Sequence, residues 1–144
     1  MGNILPSSSQ NDMFDMEQIN GHWFQIARTP NAFQDPNAYN SVVDYTVNGN
    51  IVELNYFELN PDGSTKTMNS IGAISGNNIV SDGNVVCIEK YMIELGFLVV
   101  KDSHCNLWLL SKDKFPLSSD LINALKHLEK MGVCTATLIA TEQE

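Results

Sequence analysis

Between residues 21 and 111, apolar and polar side chains alternate in short runs broken by turn residues, the pattern of strands with one buried face. Eight runs stand out: 23–27, 41–47, 51–59, 65–74, 79–80, 85–92, 97–100 and 107–111. The breaks between them have chemical causes. Asn48-Gly49 tolerates positive φ at both positions and predicts a two-residue hairpin turn. Pro61-Asp62-Gly63 joins proline's fixed φ to glycine's freedom. Ser75-Gly76-Asn77-Asn78, Ser81-Asp82-Gly83-Asn84 and Lys101-Asp102-Ser103 read as further turns. Short turns between successive runs favour an antiparallel up-and-down meander. Eight such strands close into a barrel, which removes the unpaired edges of an open sheet. The run 79–80 is short, so that side of the wall is expected to be weakly paired.

After Pro116 the period changes. Leu121, Leu125 and Leu128 recur at helical spacing, Ser118 or Ser119 can cap the first turn, and Gly132 suits the left-handed residue that ends a helix. Lys126 and Lys130 lie where cations favour the helix dipole. A lone amphipathic helix after eight strands has its place on the outside of the barrel. Leu107 and Leu109, opposite in parity to Trp108 and Leu110, supply the apolar patch it covers. Residues 136–140 can add a short strand beside the first. The expected fold is all-β: an eight-stranded up-and-down antiparallel barrel with one C-terminal α-helix packed outside. Residues 1–16 are expected to form a flexible tail, and 17–144 a single domain.

Composition narrows the function classes. With 8 basic and 17 acidic residues the net charge is -9, a balance that repels phosphate, so neither nucleic acid nor an anionic membrane is an expected partner. The apolar stretch 95–100 is far too short to span a bilayer, and stable membrane insertion is not expected. Cys87, Cys105 and Cys134 are an odd count without Cys-x-x-Cys spacing, which suits a reducing compartment. The first 18 residues carry neither a basic leader nor a long apolar run, so a cytoplasmic location is expected. Gly2 invites acylation, but Pro6 stands where the myristoylation motif has Ser or Thr.

Gly21-His22-Trp23-Phe24, followed by Gln25-Ile26-Ala27-Arg28, resembles the Gly-x-Trp opening of the lipocalins, in the pattern of the apolipoprotein D and bacterial outer-membrane branch. Thr29-Pro30-Asn31-Ala32-Phe33 is similar to the first loop of that family. The stretch from Tyr45 through Asn48-Gly49 to Leu54-Asn55, then Pro61-Asp62-Gly63, is similar to the second and third strands and the turn that follows. Leu107-Trp108-Leu109-Leu110-Ser111-Lys112 is similar to the last barrel strand. The resemblance implies that Gly21 turns the chain into the barrel floor and that Trp23 plugs it. It also implies that Lys112, where the family usually has Arg, lies across the indole; lysine keeps the cation–π contact but loses the planar fork. The family's Thr-Asp-Tyr signature is absent around residues 91–96, and so is its usual disulfide.

The implied activity is binding of a small lipophilic ligand inside the barrel (a fatty acid, lysolipid or steroid-like molecule) for transport or sequestration. Trp108 and Leu110 are expected to face the cavity, with passive core as the plainer role for Trp108. Tyr45 and Asn55 match pocket positions of the family. Glu53 and Phe57 share the parity of Asn55, so Glu53 is expected either to point inward and bond a ligand or to sit at the rim or on the outer wall. Phe33 and Tyr39 flank the loop over the open end, which is either a lid or simple packing. A protein-interaction module using those loops is the alternative. A cavity isomerase using Cys87 or Glu53 is a further one, though no base partners Cys87 and inert burial is the expectation. His22, His104 and His127 lack metal-ligand spacing, and no metal, cofactor or catalytic residue is expected.

Overall fold

The computed structural model describes residues 15–144. The tail from Met1, with Gly2, Pro6 and the serine run, lies outside the described residues. Eight strands follow one another: β1 (Gly21–Arg28), β2 (Tyr39–Asn48), β3 (Ile51–Leu59), β4 (Thr65–Ser75), β5 (Asn78–Ser81), β6 (Asn84–Met92), β7 (Phe97–Asp102) and β8 (Leu107–Ser111). Each pairs antiparallel with the next, and β1 pairs with both β2 and β8, which closes the barrel. The helix α1 (Ser118–Lys130) packs outside, and a two-residue strand β9 (Ile139–Ala140) pairs with the end of β1.

The wall is thinnest where the sequence suggested. β5 pairs with β4 over only three residues, Ala73↔Val80 to Ser75↔Asn78. Gly72 has a packing role there: a Cβ at that position would meet Ile79 Cγ2 at 2.5 Å. The β2–β3 turn differs from expectation. Asn48 pairs with Ile51, so the loop residues are Gly49 and Asn50, and of these only Gly49 (φ 63) has positive φ. That is the pattern of a type II′ turn, with glycine at the first loop position.

Two apolar cores result from strand alternation. Inside the barrel, Trp23, Val43, Tyr45, Val52, Ile88, Leu98 and Leu110 pack together. Outside, Phe97, Val99, Leu107 and Leu109 meet Ala124 and Leu128 of α1. β7 is therefore buried on both faces, which explains its unbroken apolar run. α1 begins without a serine cap: its N-cap is Leu117, and no side chain bonds the first amides. Its other end is as expected. Gly132 N–H donates to Glu129 O and Val133 N–H to Leu128 O, a Schellman closure with Val133 packed into the outer core.

The closed end is sealed by an element that sequence reading placed across the tail boundary. Met16–Ile19 forms a 3-10 turn with Met16 and Ile19 buried. Trp23 Nε1 donates to Ile19 O at 2.8 Å, and Asn20 Oδ1 accepts from Val47 N–H at 2.7 Å. The Lys112 ammonium lies 5.4 Å from the Trp23 ring centroid, and Tyr91 meets the same ring edge-on at 5.7 Å.

Candidate functional site

The open end is formed by the end of β1, the start of β2, the β3–β4 hairpin and the loop 29–38 that joins β1 to β2. Register decides which side chains face in. Tyr45 pairs with Leu54 and Val43 with Tyr56, and directly paired residues share a face. The inward set on β3 is therefore Val52, Leu54, Tyr56 and Glu58. Glu53, Asn55 and Phe57 lie on the opposite parity: Glu53 and Asn55 are exposed and Phe57 is half-buried. The expected place of Asn55 and Phe57 in the cavity is corrected accordingly, and of the two places expected for Glu53 the structure takes the outer wall. Glu53 and Asn55 border a shallow cleft outside the wall with Asn69, Ile71 and Asp82.

Tyr45, Trp108 and Leu110 do face the interior. Tyr45 and Leu110 are fully packed in the lower core, whereas Trp108 is half-buried higher up. Burial alone raises the Tyr45 phenol well above its usual pKa. Phe33 lies on the loop with its ring 5.8 Å from that of Trp108, yet it is 47% exposed. Tyr39 begins β2 at the same end and makes a bridge to Glu142.

Residues that sequence reading missed dominate the upper interior. Glu58 is 0% exposed, and Oε1 of its carboxyl accepts from Ser41 Oγ (2.9 Å), Gln34 Nε2 (3.0 Å) and the Tyr56 hydroxyl. Oε2 is buried without a partner. Burial, then the hydrogen bond to Glu58 and its charge, push the Tyr56 phenol well above its usual pKa, so it stays protonated and donates. Gln34 reaches in from the loop. Its Nε2 also donates to Gln25 Oε1 at 3.1 Å, and its Oε1 accepts from Trp108 Nε1 at 3.0 Å and Asn31 Nδ2 at 2.8 Å.

A bulge between Gln25 and Ala27 reverses the parity of β1, so Arg28 pairs with Trp108 and is buried. Its guanidinium donates to the carbonyls of Thr29 (3.2 Å) and Asp35 (3.0 Å). Lys66, opposite Glu58 in the β3–β4 register, donates to Phe33 O from across the mouth.

The thiols are free, with Cys105 and Cys134 exposed and Cys87 half-buried. Cys87 pairs with Lys101 and Asn78, opposite in parity to Val86 and Ile88, so it faces outward. The cavity-isomerase alternative thereby loses its thiol, and its other group, Glu53, is outside as well. Among the described residues no three His, Cys, Asp or Glu side chains are grouped as metal ligands, and no helix is long and apolar enough to cross a membrane.

Comparison with known proteins settles the architecture. The major allergen Per a 4 from cockroaches superposes with a TM-score of 0.76 at 13% identity, over 91% of this chain and 89% of that one. Insecticyanin from the tobacco hornworm Manduca sexta gives 0.74 at 13% identity, over 92% and 88%. Lobster apocrustacyanin A1 gives 0.73 at 14%, over 95% and 83%. The fold is that of the lipocalins. In sequence, the chain is 34% identical to apolipoprotein D of Mus musculus over 77 residues, 54% of this chain and 39% of that protein. The match therefore spans well under half of that relative's length. No protein-family model matches the chain. In this chain the mouth of the barrel carries a polar cluster above an apolar floor.

Proposed function

We propose that the protein binds a small lipophilic molecule (a fatty acid, lysolipid or steroid-like compound) in the upper half of the barrel, for carriage or sequestration. The observation that carries this reading is the exposure of inward-facing residues on β3 and β4. Met68 pairs with Tyr56 and so faces the interior, yet it is 50% exposed; Leu54, Tyr56 and Ser70 are half-buried on the same face. A filled core would bury them, as it does Val43 and Val52 lower down. Apolar surface of this kind contributes about 25 cal/mol per Å² when a ligand covers it, enough for micromolar affinity without a specific bond. The apolipoprotein D match and the apolar, aromatic lining support the same reading. A reducing compartment such as the cytoplasm is the setting we propose, on the three free thiols.

The test is binding of the neutral probe N-phenylnaphthylamine, read as energy transfer from Trp108. Decanol or a steroid should displace it. Leu54→Trp should weaken binding several-fold in equilibrium dialysis, because the larger ring takes the ligand's volume. Equal binding to wild type and Leu54→Trp places the probe outside the barrel, and the reading then fails. In that case the exposed Phe33 favours a second reading, a protein contact through the open-end loops.

A further inference from the structure

Resting on the reading that the upper barrel takes a lipophilic ligand, we propose that the side chain of Gln34 occupies the polar end of that ligand's site. We further propose that the competing ligand carries an uncharged head group that both donates and accepts a hydrogen bond, an alcohol or a primary carboxamide.

Gln34 belongs to the loop, but its side chain belongs to the interior. It is 4% exposed, and its carboxamide touches three strands of the wall. Nε2 donates to Gln25 of β1 and to Glu58 and the Tyr56 hydroxyl of β3, while Oε1 accepts from Trp108 of β8. Asn31 holds the residue in this pose from within the loop, bonding both its backbone amide and its side-chain oxygen. Such a set of partners is the negative of a ligand head: three acceptors and one indole donor converging on one neutral, bifunctional group.

The site also remains one donor short when Gln34 is seated. Three donors crowd Oε1 of Glu58, whereas the buried Oε2 has none. A buried acceptor without a partner is costly, so a head group that donates to it has a source of affinity that Gln34 does not use.

Charge selects among possible heads. A carboxylate would set acceptor against acceptor at Glu58. An ammonium would also donate to Oε2, but it would have to shed its hydration to enter a buried end that already holds the Arg28 guanidinium and lies beside Lys66. A hydroxyl or carboxamide can donate to Glu58 and accept from Trp108 without either conflict. Displacing Gln34 gives up little apolar burial, since its neighbour Phe33 is half-exposed already.

The experiment compares four ligands of one chain length, decanol, decanamide, decanoate and decylamine, by calorimetry or probe displacement on the full chain. Decanol and decanamide should bind wild type about tenfold or more tighter than decanoate and decylamine. Gln34→Ala should raise decanol affinity about tenfold and leave decanoate unchanged. Gln34→Ser, whose side chain is too short to reach Gln25, Glu58 or Trp108, should also favour decanol, so the claim survives a folding failure of either variant. Decanoate or decylamine binding as tightly as decanol overturns the head-group assignment and leaves the lipophilic reading standing. Unchanged decanol affinity in a folded Gln34 variant overturns the occupancy claim. No binding of any decyl compound to wild type or variants overturns both this inference and the reading beneath it.

Discussion

Trp108 Nε1 donates to the side-chain oxygen of Gln34 at 3.0 Å, so the last barrel strand holds the loop that crosses the mouth. The bond joins a half-buried aromatic of the upper wall to the residue at the centre of its polar cluster. Trp108→Phe keeps a ring against Phe33 but removes the donor. The cost to global stability should be about 0.5–1.5 kcal/mol. The sharper effect is local: amide hydrogen exchange across residues 29–38 should speed up while exchange in β2 and β3 does not. Unchanged exchange in the loop would show that Trp108 does not hold it.

The closed end should behave as a rigid plug. Trp23 is fully buried, bonded to Ile19 O, and flanked by Tyr91 and Lys112. Trp23→Ala should cost about 3–5 kcal/mol in denaturant unfolding. Lys112→Met should cost less, about 0.5–2 kcal/mol, since it removes only the cation from the ring face. If Trp23→Ala unfolds at the wild-type midpoint, the plug assignment is wrong.

Strand order, the exterior helix and the inward parity of Trp108 were legible because each rests on a local rule, alternation or turn chemistry, applied over several residues. The pocket on β3 was misread although the sequence held the correction. Any two-residue hairpin pairs an odd-numbered residue with an even-numbered one, so Tyr45 cannot share a face with Glu53 or Asn55. Matching positions by family likeness overrode that count. Glu58 follows from it: the same parity as Leu54 places it inside. Arg28 does not follow, because nothing in Gln25-Ile26-Ala27 announces the bulge that turns it inward. Gln34 was illegible for a different reason. A loop residue has no periodicity, and its entry into the barrel is fixed by partners on three strands far away in sequence.

The cysteines should separate by reactivity. Burial first, then the charge of Glu89, raise the Cys87 thiol above its usual pKa, with Lys101 opposing. At about pH 8 the thiolate fraction of Cys87 is therefore reduced further below that of an ordinary cysteine. Native protein should show two rapidly labelled thiols, Cys105 and Cys134, and a slow third; unfolded, unreduced protein should count all three. A count of one in the unfolded protein would reveal a disulfide and overturn the proposed reducing setting.

Alkaline pH should destabilise the barrel through its buried tyrosines. Tyr45 and Tyr56 both have folded-state pKa values well above 10.0, the value for an unburied phenol, with burial the leading cause in each. The native state thus keeps protons that the unfolded chain has lost. Stability from this source is fully present below pH 10 and falls as pH rises from there towards the folded-state values. The limiting slope is about 1.4 kcal/mol per pH unit for each tyrosine, with Tyr56 contributing less than that because it is only half-buried. Tyr45→Phe keeps the ring in the core and removes one ionisation, so its unfolding free energy should fall less steeply above pH 10 than that of wild type. The measurement is the urea midpoint at a series of pH values, with tyrosinate absorbance read in parallel. Native protein should show delayed ionisation for these two residues. If Tyr45→Phe and wild type lose stability with the same slope, the Tyr45 hydroxyl is not buried in the folded state, and the packed lower core around it must be redrawn.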